Sequence, residues 1–129
     1  MEEYDFSGKK ILITEDEFTN FLILKAMFKN TNADLVWAKS GPEAVAIINA
    51  QPDVDIVLMD MRMPGMGGME TATKIKKIRP DVVIIAQTAY ALNNEREEIL
   101  ANGCDDFVSK PISSSVLLEM IDDYLKRQG

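Results

Sequence analysis

The chain has 129 residues, 47% of them hydrophobic and 27% charged, which is enough to build the core of one folded domain and argues against disorder. The net charge of −7 disfavours a nucleic-acid or anionic-membrane surface, and we find neither a membrane-length apolar stretch nor a signal peptide. The single cysteine, Cys104, cannot form an internal disulfide, which favours the cytoplasm, and the absence of histidine excludes histidine catalysis within the chain.

Five short strands are predicted along the chain. Residues 1–8 are polar and are predicted to form a flexible N-terminal segment, whereas residues 9–127 are predicted to form the domain. The strand segments are largely apolar and rich in β-branched side chains, which favour extended structure. In chain order they cover residues 9–14, 34–38, 55–59, 82–87 and 106–109.

A helix is predicted after each strand, from apolar residues at helical spacing and from residues that begin or end helices. The first is predicted over residues 18–29, and the second begins with a capping box at Ser40. The third ends before Pro80, the fourth covers residues 92–102, and the fifth begins at Ser113.

This alternation of strand and helix predicts the fold class. Parallel strands need crossover connections, and helical crossovers cover both faces of the sheet. Right-handed crossovers leave few topologies. We therefore predict an α/β, (βα)5, flavodoxin-like three-layer sandwich with a parallel five-stranded sheet of order 2-1-3-4-5.

Polar side chains lie at the predicted carboxyl ends of several strands, where such sheets form their sites. Glu15 and Asp16 follow the first strand and Asp60 follows the third, its neighbour in the predicted order. Three converging carboxylates need a proton or a cation, and an oxygen-only ligand set suits Mg²⁺ or Mn²⁺. Lys110 and Thr88 add a positive charge and a hydroxyl. The set favours phosphoryl transfer with Asp60 as the nucleophile.

Four motifs carry a resemblance to a known family. They are Glu15-Asp16, "LMDMRMPGMGG" around Asp60, "QTAY" at Thr88 and "SKPI" at Lys110. In this order and at these strand ends, they resemble the response-regulator receiver domain of two-component signalling. The resemblance implies a signalling phosphoacceptor, which is no enzyme beyond catalysing its own phosphorylation and dephosphorylation.

The resemblance also implies roles for the residues at the site. Asp60 would accept a phosphoryl group from a phosphohistidine of a histidine kinase or a histidine phosphotransfer domain. Asp16 and Asp60 would bind Mg²⁺ or Mn²⁺ directly, Glu15 through water, and Arg62 through its backbone carbonyl. Lys110 would pair with the phosphoryl group. No organic cofactor is implied.

Further implications concern the backbone and the switch. Lys110–Pro111 is expected to be a cis peptide. Thr88 and Tyr90 match the hydroxyl and aromatic residues of the family's switch pair. Phosphorylation is expected to change the face formed by the fourth helix, fifth strand and fifth helix, which we predict to dock a partner or a second copy in a homodimer. Neither nucleic acid nor membrane contact is expected of this domain.

Two native contexts fit the resemblance. The segment "GKKILITEDEFTNFLIL" resembles receivers of hybrid histidine kinases, in which an asparagine like Asn20 commonly follows the acidic pair. We favour a hybrid-kinase receiver, and the alternative is a stand-alone single-domain regulator.

The residues disfavour three rival functions. A phosphatase of the haloacid dehalogenase type needs a second aspartate two residues after its nucleophile, where this chain has Arg62. A flavin carrier needs a phosphate-binding loop after the first strand, and here that loop is acidic. A docking module that is never phosphorylated would not need the acids, Thr88 and Lys110 together.

Overall fold

A computed structural model of the chain describes residues 3–89 and 93–128, apart from the side chains of Asn93 and Asn94. Strands and helices alternate along these residues. The strands are β1 (Lys10–Thr14), β2 (Asp34–Ala38), β3 (Val54–Asp60), β4 (Val83–Thr88) and β5 (Asp106–Ser109). The helices are α1 (Phe18–Met27), α2 (Gly41–Ala50), α3 (Gly68–Ile78), α4 (Asn93–Ala101) and α5 (Ser114–Gln128). None of these helices is long and apolar enough to cross a membrane.

The five strands form one parallel sheet of order β2-β1-β3-β4-β5, which confirms the predicted fold class and strand order. Two apolar clusters show how the helices cover it. Buried residues of α2, α3 and α4 pack on one face, and those of α1 and α5 pack on the other. The molecule is therefore the predicted three-layer sandwich.

Side chains of each strand alternate between these two clusters. On β1, Ile11 and Ile13 pack toward α1 and α5, whereas Leu12 packs on the opposite face. On β4, Ile85 and Ala86 divide in the same way. This alternation explains why the strands read as continuous apolar runs, and it fixes the face of each polar residue that follows them.

The N-terminal segment contributes one residue to the core. Phe6 is buried with the cluster under α1 and α5, and its backbone N–H donates to the carbonyl of Thr31. Packing therefore begins before residue 9. The flexibility of residues 1–8 and the domain limits 9–127 stay predictions.

Apolar residues recur at helical spacing along α1, including the aromatic residues Phe18 and Phe21, but only some of them face the core. Leu24 and Phe28, at the end of the helix, are buried, whereas Phe18 is 57% exposed and Leu22 44% exposed. Phe21 stacks on the Trp37 ring of β2 with 4.5 Å between centroids. The apolar residues of α1 thus leave an uncovered surface beside the carboxyl end of β1.

Candidate functional site

The three carboxylates predicted to converge lie together at the carboxyl ends of β1 and β3. One oxygen each of Glu15, Asp16 and Asp60 lies within 4.8 Å of the others. Glu15 and Asp60 are only 1% and 2% exposed, and Asp16 is the most exposed of the three. Because β1 and β3 are paired in register up to Thr14 and Met59, the next residues of both strands reach the same level of the sheet rim.

Asp60 is oriented through one of its two carboxylate oxygens. Its Oδ1 accepts a hydrogen bond from the backbone N–H of Arg62 at 3.0 Å and from Nζ of Lys110 at 3.1 Å. The ion pair with Lys110 offsets the cost of burying this carboxylate at the strand end.

Lys110 is itself positioned by the end of β4. Its backbone N–H donates to the carbonyl of Thr88 at 2.8 Å, and Thr88 pairs with Ser109 across the sheet. The Lys110–Pro111 peptide is cis, as expected. Thr88 is the last residue of β4 and is 7% exposed. Tyr90, the predicted second member of the switch pair, lies outside the described residues.

The surroundings of Glu15 disfavour the charged form of its carboxyl group. The pKa of its carboxyl group is raised to about 7, because burial and the charge of Asp60 together outweigh the opposing effects of the Glu17 backbone N–H and Lys110. The Oε1 atom of Glu15 has no hydrogen-bond partner among the described residues. A cation beside this carboxylate would favour its ionised form.

This shift predicts how the metal-free protein responds to pH. A carboxyl whose pKa is raised on folding stabilises the fold below its unfolded value and loses that contribution as pH rises through the folded value. Stability should therefore fall between pH 4.5 and about 7. In chelator, Glu15→Gln should remove this fall and exceed wild type by about 2 kcal/mol at pH 8. Urea unfolding at pH 5 and pH 8 measures it.

Glu17→Gln is the matched control, since it removes an exposed charge two residues away. It should keep the wild-type pH dependence. An equal loss of pH dependence in both variants would contradict the assignment to Glu15.

The donor set fits a hard divalent cation. Three carboxylates converge here, Lys110 pairs with Asp60, and the candidate ligand atoms are all oxygens. Mg²⁺ and Mn²⁺ prefer such oxygens.

Two neighbours of the site were given no role by the sequence. The ring Nε1–H of Trp37 donates to the backbone carbonyl of Glu15 at 2.8 Å and so ties the acidic loop to β2. Gln87, beside Asp60 in the β3–β4 register, is 1% exposed, and its Nε2 has no hydrogen-bond partner among the described residues. The Trp37 bond and the position of Gln87 beside Asp60 both depend on which strands pair, and no local sequence pattern reveals that pairing.

Comparison with known proteins gives one consistent family. The family model described as "Response regulator receiver domain" matches residues 11–122. Hybrid signal transduction histidine kinase I of Dictyostelium discoideum is 32% identical over 122 residues, covering 88% of this chain but only 7% of that protein. The polar-differentiation response regulator DivK of Brucella ovis is 30% identical over 120 residues, covering 91% of this chain and 96% of DivK.

Solved structures agree. One is the receiver domain of the Saccharomyces cerevisiae response regulator Ssk1, in a co-crystal with the histidine phosphotransfer signaling protein Ypd1. It is 27% identical to this chain, has a TM-score of 0.86, and the match covers 92% of this chain and 90% of that one. The match to the receiver-domain family favours neither the phosphatase nor the flavin carrier.

Proposed function

Because this chain belongs to the response regulator receiver domain family of two-component signalling, we propose that its Asp60 accepts a phosphoryl group from a phosphohistidine of a partner protein. The observation that carries the proposal is the buried Asp60 carboxylate beside Lys110 and two further acids. Oδ1 accepts the bonds from Arg62 and Lys110, which leaves Oδ2 as the nucleophile. It forms the new O–P bond as the P–N bond breaks, and the released imidazole nitrogen takes up a proton.

Lys110 and Thr88 serve the transferred group. The Lys110 ammonium, already 3.1 Å from Asp60, neutralises charge on the phosphoryl oxygens, and the Thr88 hydroxyl donates a hydrogen bond to one of them. Neither residue forms a bond to phosphorus. The domain therefore catalyses only its own phosphorylation and dephosphorylation.

Asp16 and Asp60 would hold Mg²⁺ or Mn²⁺ directly, with Glu15 through water and Arg62 through its backbone carbonyl. The bound ion supplies positive charge for the phosphoryl oxygens. The support is the convergence of three carboxylates, Glu15, Asp16 and Asp60, beside Lys110.

Phosphorylation should require this ion. Acetyl phosphate with Mg²⁺ should add one phosphoryl group to the protein, and EDTA should prevent the addition. Asp16→Ala should weaken Mg²⁺ binding more than Glu15→Ala, because only Asp16 is proposed to contact the ion directly. Intact-mass measurement and Mg²⁺ titration test these points. Full phosphorylation in EDTA would contradict the proposed metal site.

The phosphodonor is proposed to dock on the uncovered surface of α1. We define the α1 patch as Phe18, Leu22 and Ile23, which are 57%, 44% and 54% exposed. It follows the acidic loop directly, so a partner bound there brings its histidine near Asp60. The Ssk1 receiver in complex with Ypd1 supports a histidine phosphotransfer protein as the partner class.

Disrupting the α1 patch should slow phosphorylation by a protein donor but not by the small donor acetyl phosphate. Leu22→Asp should slow transfer from a phosphorylated histidine phosphotransfer protein at least tenfold, because a charge in an apolar contact costs a few kcal/mol. The rate with acetyl phosphate should not change, since the small donor needs no docking. Leu100→Asp, at an α4 leucine that is 47% exposed, is the matched control and should leave both rates at wild-type values.

The output surface is proposed to be the face of α4, β5 and α5. Two contacts link these elements: the Arg96 guanidinium lies over the Phe107 ring at 5.2 Å, and the Tyr124 hydroxyl donates to Asp106 at 3.1 Å. A change at the end of β4 would reach this face through β5. We propose that it binds a downstream partner or a second copy in a homodimer, and not nucleic acid or membrane.

The biological setting is also a proposal. We propose a cytoplasmic receiver of a hybrid histidine kinase, because such kinases are among its relatives. The stand-alone arrangement of DivK is the alternative. The chain spans only 7% of the Dictyostelium kinase and 13% of the sensor protein GacS of Pseudomonas syringae, so the activity of any longer protein is not inferred from it.

A further inference from the structure

A cavity of about 270 Å³ lies beside the site, under α1 and the loop that follows β5. Most of its wall is apolar, with Leu24, Met27 and Ile112 among the lining residues. Glu15 and Gln87 also line it. The cavity therefore joins an apolar space to the acidic rim of the sheet.

Two buried polar atoms of these residues lack partners among the described residues. Oε1 of Glu15 is an acceptor when the carboxylate is ionised, and Nε2 of Gln87 is a donor. Both residues are 1% exposed. A buried polar atom left without a hydrogen bond destabilises the fold, and native proteins rarely retain one.

Strand alternation brings the two side chains to the same face of the sheet. Glu15 lies two residues after Ile13, and Gln87 lies two residues after Ile85; both isoleucines pack toward α1 and α5. Asp60 lies between them, because β3 separates β1 from β4 and Asp60 pairs with Gln87. Strands are about 4.8 Å apart, so the two backbones are about 10 Å apart and the side chains need a bridge to bond.

Resting on the proposed function, we propose that Gln87 is a positioning residue for the metal site. Its Nε2–H donates to water in the cavity, and that water donates to Oε1 of Glu15, which keeps this carboxylate aimed at the ion beside Asp60. The cavity is roomy enough for water and is polar at this end. Residues that orient a metal-binding side chain in this way raise metal affinity without touching the metal.

The test is Mg²⁺ affinity, followed by fluorescence of Trp37, the only tryptophan of the chain, which bonds to the Glu15 backbone. Gln87→Met, of similar shape but apolar, should weaken Mg²⁺ binding about tenfold. Metal-free stability should stay close to that of wild type, because the variant exchanges one water-mediated hydrogen bond for apolar contact in a mostly apolar cavity. A merely structural glutamine would give the opposite pattern, with lower stability and unchanged affinity, which would overturn the proposal.

A double-mutant cycle tests the route through Glu15. In a Glu15→Ala background, Gln87→Met should cause no further loss of Mg²⁺ affinity, and additive losses would overturn the proposal. Thr14→Val is the matched control: the Oγ1 of Thr14 is another buried atom without a hydrogen-bond partner in the described part of the chain, and alternation with Leu12 assigns it to the other face of the sheet. It should leave Mg²⁺ affinity unchanged.

Other outcomes are equally decisive. Gln87→Leu should repeat the result of Gln87→Met, and failure of both variants to fold would overturn the proposal in favour of a structural role. Wild-type protein that binds no Mg²⁺ would overturn the proposed metal site itself. Wild-type binding with equal binding by Gln87→Met would overturn only the role of Gln87.

Discussion

Replacing Asp60 with asparagine should abolish the phosphoryl adduct formed with acetyl phosphate and Mg²⁺. The amide keeps the size of the side chain but loses the anionic oxygen that attacks phosphorus. Glu15 and Asp16 remain in place, so a shift of the adduct to either acid would also be detected. The loss should be complete within the sensitivity of intact-mass measurement.

Asp53→Asn is the control for this loss. Asp53 is an exposed acid that pairs with Lys10 at the start of β1, at the opposite end of the sheet. Exposed pairs of this kind contribute little, so this variant should fold and form the adduct like wild type. An undiminished adduct on Asp60→Asn would contradict the assignment of the phosphoacceptor.

Replacing Thr88 with alanine should separate phosphorylation from its distant effect. Phosphorylation adds negative charge and acceptor oxygens at the rim, and the Thr88 hydroxyl is proposed to move toward them. Its backbone carbonyl already binds Lys110 at the end of β5, so a shift there would be transmitted to the face of α4, β5 and α5. A change of contacts of this kind can shift the balance between two conformations of that face whose free energies differ by a few kcal/mol.

The readout is NMR with beryllofluoride, a phosphoryl mimic, and Mg²⁺. Wild-type shifts should cluster at Asp60 and at the Arg96–Phe107 and Tyr124–Asp106 contacts. Thr88→Ala should keep the shifts at Asp60 but show distal shifts reduced at least threefold. Thr19→Ala, on the exposed surface of α1, should respond as wild type does. A full distal response in Thr88→Ala would disprove this coupling while leaving the site intact.

The fold was predictable because its signals are local and repeated. Apolar β-branched runs and helix-ending residues such as Pro80 and Gly103 set the alternation, and handedness of the crossovers then restricted the strand order. Element ends were less predictable. β3 extends through Asp60, because its backbone still pairs with β4 at Gln87, and the Arg62 backbone N–H and Lys110 stabilise the carboxylate there.

The site was predictable where strand ends carry charged or hydroxyl residues. It was not predictable where tertiary contacts determine which side chains are buried or lie together. The convergence of Glu15, Asp16 and Asp60 followed from neighbouring strand ends. The helical spacing of aromatic residues in α1 did not identify its buried face, because an uncovered apolar face and a core face have the same period. The cavity that places Gln87 opposite Glu15 arises only once β1, β3 and β4 are assembled.

The central claim is that Asp60 takes the phosphoryl group from a phosphohistidine. A phosphorylated histidine phosphotransfer protein should be mixed with wild-type protein and Mg²⁺, and the product trapped with borohydride, which reduces an aspartyl phosphate to homoserine. Peptide sequencing by mass spectrometry should then find homoserine at position 60, with no reduced residue at Glu15 or Asp16. Transfer that leaves Asp60 unreduced, or that places the reduced residue at another acid, would contradict the account.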